Sequence, residues 1–271
     1  MGKIATVFLI TCAASLAAFE EKPWLGNQFE FYLDSSYSYS RFTKVAQPVK
    51  QLKTPFNVNL LSFDLGFCPI DGWEVAFEAE FAATTKQCFG RRSVAGMLRT
   101  RWLDDIIGDP VSLTTGIIAR MTSHNSLRDI SCPSSARWDV ELHSAIGKEW
   151  STGADWSMRL YGIGAVGQGN RGSPWTKAKA AFGIRQSVVS AWEVYSLGYW
   201  GFGNKNRVNI PHFHGWGSYN HSSIDVGVAY AYCFEVWGNL RFDFFHRFYA
   251  HVYPKALTGG AITYHLPFSF F

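Results

Sequence analysis

The chain has 271 residues, of which 17% are charged and 17% aromatic, and its formal net charge is +4. Soluble domains carry about 25% charged residues, so this surface is short of the groups that keep a protein wet, while a mean hydropathy of −0.04 excludes a bundle of membrane helices. The small net charge, without a basic run or recognition motif, gives no support for nucleic acid as a partner. A chain that is aromatic, poorly charged and still near neutral in hydropathy alternates apolar with polar residues, as a membrane-spanning β-barrel does.

Taken in chain order, Lys3, the apolar stretch Ile4 to Leu16 and the small residues of Ser15-Leu16-Ala17 read as a secretory signal peptide over 1–17, cleaved after Ala17. A second reading takes Leu9-Ile10-Thr11-Cys12 as a lipoprotein box with Cys12 acylated. Residues 18–271 are then expected to form one barrel domain. No later stretch reaches the roughly 18 apolar residues of a membrane helix, so strands must do the crossing.

Alternation with period two marks strands near 28–40, 57–68, 73–84, 93–103, 111–123, 137–150, 156–166, 177–189, 191–203, 223–236, 239–252 and 261–271. In the third, Trp73, Val75, Phe77, Ala79 and Phe81 oppose Glu74, Ala76, Glu78 and Glu80. In the tenth, Ile224, Val226, Val228, Tyr230 and Tyr232 oppose Asp225, Gly227, Ala229 and Ala231. One face suits lipid and the other a polar interior. Tight connections at 69–72, 104–110, 151–155, 190 and 238 alternate with long ones at 41–56, 85–92, 124–136, 167–176, 204–222 and 253–260. That rhythm predicts an all-β fold: a single closed antiparallel up-and-down transmembrane barrel of about twelve strands, both termini at the short-turn end. Trp73, Trp102, Trp150, Trp156, Trp192 and Trp237 all flank short turns, where indoles would meet lipid headgroups.

The ending Ala261-Ile262-Thr263-Tyr264-His265-Leu266-Pro267-Phe268-Ser269-Phe270-Phe271 resembles the terminal strand of bacterial outer-membrane β-barrel proteins. The resemblance implies an integral outer-membrane location, contact with outer-membrane lipid, and recognition of the strand ending at Phe271 by the barrel-assembly machinery. The alternation here runs one residue out of phase with the usual terminal Phe.

If the apolar faces meet lipid, the lumen receives Glu30, Asp34, Asp64, Glu74, Glu78 and Glu80 from the first three strands. Arg99, Arg101, Arg120, Arg159, Lys179, Arg185, Arg241, Asp243 and Arg247 follow from later strands, with Glu78 and Glu80 expected near Arg99 and Arg101. Such a lining serves either a narrow pore for small solutes or a salt-bridged structural envelope barrel with a filled interior. No cofactor is expected, and neither reading needs catalysis.

An enzymatic alternative rests on His124-Asn125-Ser126 at the outer end of the fifth strand and Trp138-Asp139 at the start of the sixth. These residues resemble the outer-membrane phospholipase A family, which has His-x-Ser and then Trp-Asn at the same topological places. The resemblance would make Ser126 a nucleophile, His124 its base and Asp139 the orienting group, with Arg128 near that family's calcium-binding loop. Here Asp139 stands in for Asn, and the phase of Ile117, Ala119 and Met121 turns the three groups inward. The alternative to a triad is a polar cluster in which Asp139 pairs with Arg120. His212, His214 and His221 share one outer connection and are a candidate metal set. Of the four cysteines beyond the signal, Cys88 and Cys132 both fall in outer loops and are the expected disulfide, if one forms, while Cys68 and Cys233 lie near the inner ends of separate strands.

Overall fold

Alternating side chains in a computed structural model of the chain become twelve antiparallel strands whose first and last members meet. Residues 19, 21–52, 54–151, 156–187, 189–234 and 237–268 are described; the Ala17 cleavage point, Cys12 and Phe271 lie outside them. The barrel strands are β1 (Phe31–Phe42), β2 (Phe56–Phe67), β3 (Trp73–Thr84), β4 (Gly90–Leu103), β5 (Ser112–Thr122) and β6 (Trp138–Ser151). They continue as β7 (Ser157–Gly169), β8 (Trp175–Arg185), β9 (Ser190–Phe202), β10 (Asn220–Cys233), β11 (Asn239–His251) and β12 (Thr258–Phe268). Each pairs with its chain neighbours, and β1 closes the ring on β12, from Phe31 opposite Phe268 to Arg41 opposite Thr258. Closure satisfies every strand edge internally, which the hydrocarbon of a bilayer requires.

Side-chain burial follows the expected phase. Phe63, Leu65, Phe77, Ile117, Leu142, Leu160, Val194 and Phe244 are exposed on the outer wall, Phe77 to 63%. Glu74, Glu78, Arg99, Asp225 and Arg247 are buried on the inner one. An exposed apolar band this extensive is untenable in water and fits a lipid-facing belt. The six short-turn tryptophans are all exposed at one end of that belt, Trp237 to 71%.

Register departs from strict alternation where a bulge between Glu80 and Phe81 shifts the β3–β4 pairing. Ser93 still opposes Glu80, Arg91 opposes Phe81, and Arg92 turns inward and is buried. Bulges re-aim a side chain in this way.

Two parts of the chain fold back into the cylinder. Beyond the long-loop end, Phe42, Val45, Phe56, Ile130, Val208, Phe213, Trp216, Val252, Tyr253 and Leu257 pack into one apolar cluster. A two-residue sheet, Lys44–Val45 against Pro254–Lys255, extends the wall there. At the short-turn end the segment before β1 runs up inside the barrel. Phe19 packs against Ala76, Ala95, Met97 and Ile118 of the inner wall, and Trp24 meets the Tyr161 ring edge-on at 5.8 Å.

Candidate functional site

The lumen is where charged side chains converge, and the register decides which of them meet. Glu74 opposes Arg99 across β3 and β4, and Arg99 Nη2 donates to Glu74 Oε2 at 2.8 Å. Tyr32 Oη donates to the other Glu74 oxygen at 2.8 Å, so both oxygens of this buried carboxylate are engaged. Glu78 and Glu80 do not reach Arg99 or Arg101 as the sequence suggested. They point instead toward Arg120 of β5, whose Nη1 lies 2.6 Å from Glu78 Oε1 and 3.4 Å from Glu80 Oε2. The cause is register: the partner of Glu78 on β4 is Ala95 and that of Glu80 is Ser93, so the nearest inward guanidiniums belong to Arg120 and the bulged Arg92. Arg101 sits at the inner rim, bridging Asp71 at 2.7 Å and Asp104 at 2.6 Å.

A second network occupies the far wall. Lys177 of β8 holds Glu21 at 2.7 Å and Glu141 of β6 at 2.8 Å. Glu193 of β9 gathers Arg241 at 2.8 Å, Lys22 at 3.5 Å and Lys179 at 3.8 Å. Arg241 also bonds Asp243 at 2.8 Å, and Arg247 forks onto Asp225 at 2.6 and 2.8 Å. Arg159 pairs with Glu149 and lies over the Trp24 ring at 4.7 Å, while Arg185 is exposed at the inner mouth. Asp34 and His265 meet at 2.6 Å across the β1–β12 seam. Buried ions cost several kcal/mol each to desolvate, and mutual pairing is what makes such a lining tolerable.

Between the networks lies a cavity of about 390 Å³ toward the short-turn end, and above it one of about 90 Å³. Phe19, Glu21, Glu80, Lys177 and Leu197 line both, so the tip of the N-terminal segment and its ion pair form the partition. Above the upper cavity the path ends at the apolar plug. Trp216 is fully buried there, its Nε1 donating to the Cys132 carbonyl at 2.8 Å. The backbone N–H groups of Trp216 and Gly217 clasp the carbonyls of Ser134 and Ser135 at 3.1 Å each. Gly217 and Gly172 meet so closely that a Cβ on Gly172 would lie 2.5 Å from the Gly217 carbonyl oxygen, and Gly172 holds φ +93°.

Other groupings read from the sequence come apart. His124 opens a one-turn helix, His124–Leu127, and is exposed, whereas Ser126 is buried and its Oγ is engaged by Ser123 Oγ at 3.0 Å and Gln87 Nε2 at 3.3 Å. Asp139 accepts from the Ala136 backbone N–H at 3.2 Å. It faces Arg120 in register, yet the Arg120 guanidinium lies on Glu78. No triad is assembled, because the helix turns His124 outward and Ser126 under the loop. His221 is buried in β10, stacked on Tyr253 at 4.8 Å, while His212 and His214 are exposed, so the three do not converge on a metal. Among the described residues no cluster of three metal-ligating side chains occurs. Cys88 and Cys132 are separate thiols: Cys132 is buried beneath the plug, and Cys88 is exposed on the β3–β4 loop. Sequence reasoning missed Glu21, Lys22, Arg92 and Glu193. Acid beside base in Glu21-Lys22 was the available signal for the first two.

No family model and no curated protein sequence matches the chain. Among solved structures, an outer-membrane channel from Pseudomonas putida F1 superposes with a TM-score of 0.63 at 13% identity, covering 92% of this chain and 98% of that one. The translocator domain of the autotransporter NalP from Neisseria meningitidis gives 0.50 at 10% identity, covering 89% and 88%. At these identities the likeness is one of fold. The chain has the closed β-barrel fold of these bacterial outer-membrane proteins.

Proposed function

We propose that this barrel is a narrow pore for small polar solutes, held shut in the described conformation by its N-terminal segment and outer loops. The observation that carries the reading is the cavity of about 390 Å³, with Asp34, Asp64 and Glu80 of β1–β3 on one wall and Arg159, Lys177 and Lys179 of β7–β8, with their partners Glu21 and Glu193, on the other. In a ring of twelve strands, β2 and β8 stand diametrically opposite. Opposed walls of unlike charge set a field across the path and favour solutes that carry both signs. The volume is that of a small-ligand site rather than a wide aqueous channel. The similar barrel from Pseudomonas putida is itself an outer-membrane channel.

Export by the leader 1–17, insertion through the barrel-assembly machinery at the strand ending in Phe271, and lipid around the apolar belt belong to the same reading. The lumen-lining role of Glu74, Glu78, Arg99, Arg120 and Arg247 is to fill and polarise the wall, while Arg241 and Asp243 border the passage itself. The test is liposome swelling with the purified full chain, comparing an amino acid with an uncharged sugar of similar mass. Faster uptake of the zwitterion supports the pore. No uptake of either, with no conductance across planar bilayers, would leave a salt-bridged structural barrel.

A further inference from the structure

Charge is distributed very unevenly along the barrel axis. The whole chain carries only +4. Yet eleven exposed Lys and Arg side chains lie on the long loops and outer strand ends among the described residues, with two carboxylates, Asp129 and Asp139, both buried. At the opposite rim the charges are mixed and paired, as in Arg101 with Asp71 and Asp104. In sequence the outer bases stand apart from one another; the fold gathers them into a collar.

Three members of the collar lie at the β1–β12 seam. Arg41 alternates with the inward Ser40 and Phe42, so it projects to the lipid side, two residues above the outward Tyr39. Just beyond it, Lys44 and Lys255 face each other directly in the two-residue sheet, both exposed, while their neighbours Val45 and Pro254 are buried. Like charges directly opposite in a sheet repel, and no acid of the described residues lies against this pair. An anion between the two ammonium groups removes the repulsion. A phosphate also suits the Arg41 fork.

We propose that this outer collar, centred on Arg41, Lys44 and Lys255, docks the phosphate-bearing headgroups of lipid in the surrounding leaflet. Lipid rather than a soluble polyanion is the occupant because Arg41 points sideways, immediately above the apolar belt, where headgroups of a membrane-embedded barrel lie. The assignment rests on the membrane placement and holds whether or not the lumen conducts.

The experiment uses the full chain in an uncharged detergent. A diacylated glucosamine disaccharide lipid bearing two phosphates, and the same lipid with its phosphates removed, are offered separately, and co-purifying lipid is counted by native mass spectrometry. The phosphorylated lipid is expected to be retained about tenfold more than its dephosphorylated form. Arg41→Ser with Lys44→Ser and Lys255→Ser should abolish that preference, while Lys148→Ser at the inner rim should keep it. Heat-modifiable gel mobility checks that each variant is folded, and Arg41→Lys alone, which keeps the charge, should retain most of the binding. Equal retention of both lipids, an unchanged preference in a folded triple variant, or displacement of the lipid by soluble polyphosphate would overturn the assignment.

Discussion

The lumen is closed twice, by two kinds of chemistry. The outer closure is apolar and aromatic: Trp216 lies against Tyr253 at 4.4 Å and Phe213 at 4.8 Å, and backbone clasps lock its loops together. The inner closure is a short segment held by charge as well as packing, through Glu21 on Lys177, Lys22 on Glu193, the Trp24 indole donating to Asp105 at 2.9 Å, and Phe19 against the inner wall. Burial of apolar surface is insensitive to salt and proton concentration near neutrality, whereas ion pairs weaken with both. The contrast implies a salt-insensitive outer constriction that sets the maximum conductance and a releasable inner closure.

The largest expected effect tests the salt-insensitive side. Trp216→Ala removes the centre of the plug and should cost about 3–5 kcal/mol, read as a lower midpoint in urea followed by heat-modifiable gel mobility. Its cost should be the same at low and high salt. A salt-dependent cost would erase the distinction between the closures.

On the releasable side, Lys177→Met leaves Glu21 and Glu141 facing each other without their shared cation. Removing one member of a buried pair costs up to about 3–5 kcal/mol, and water in the adjoining cavity reduces that. The segment should detach, giving a severalfold rise in bilayer conductance with little change in the urea midpoint. Unaltered conductance would mean that charge is not what holds the segment.

Proton concentration sharpens the comparison at the rim. Burial tends to raise the Asp105 pKa, but hydrogen bonds from the Ser112 hydroxyl, the Glu149 backbone N–H and the Trp24 indole outweigh it, and its carboxyl is held below the usual range. A folded pKa below the unfolded value of about 3.9 contributes stability that is complete above that value. It is lost as pH falls through the depressed folded one. Conductance should therefore rise on acidification below about pH 4, and Asp105→Asn should show part of that rise already at pH 7.

The smallest effect concerns the discarded catalytic reading. Ser126→Ala removes two hydroxyl contacts and should cost about 1 kcal/mol, with no change in phospholipid hydrolysis measured by fatty-acid release. Hydrolysis that disappears in this variant would reinstate the enzyme.

Much of the wall was legible because a strand repeats every second residue and a one-residue error would reverse every side chain. The third strand runs Trp73–Thr84 as read, and its acids point inward. The pairings were less legible, since they depend on register. One bulge after Glu80 brought in Arg92, and the regular register before it, Glu78 opposite Ala95 and Ala95 opposite Arg120, left Glu78 to Arg120. The inner closure escaped because Glu21, Lys22 and Trp24 carry no alternation that would place them inside a cylinder. The outer plug escaped for a related reason: Phe213, Trp216 and Tyr219 sit in a Gly-rich connection whose spacing reads as a surface loop.

The most direct test of the inner closure as a gate is single-channel conductance of the full chain beside one in which residues 19–27 are replaced by Gly-Ser repeats of equal length. A gate predicts small, intermittent steps for the first and larger, sustained steps for the second, with the outer plug still limiting the maximum. Identical traces from two correctly folded barrels would contradict it.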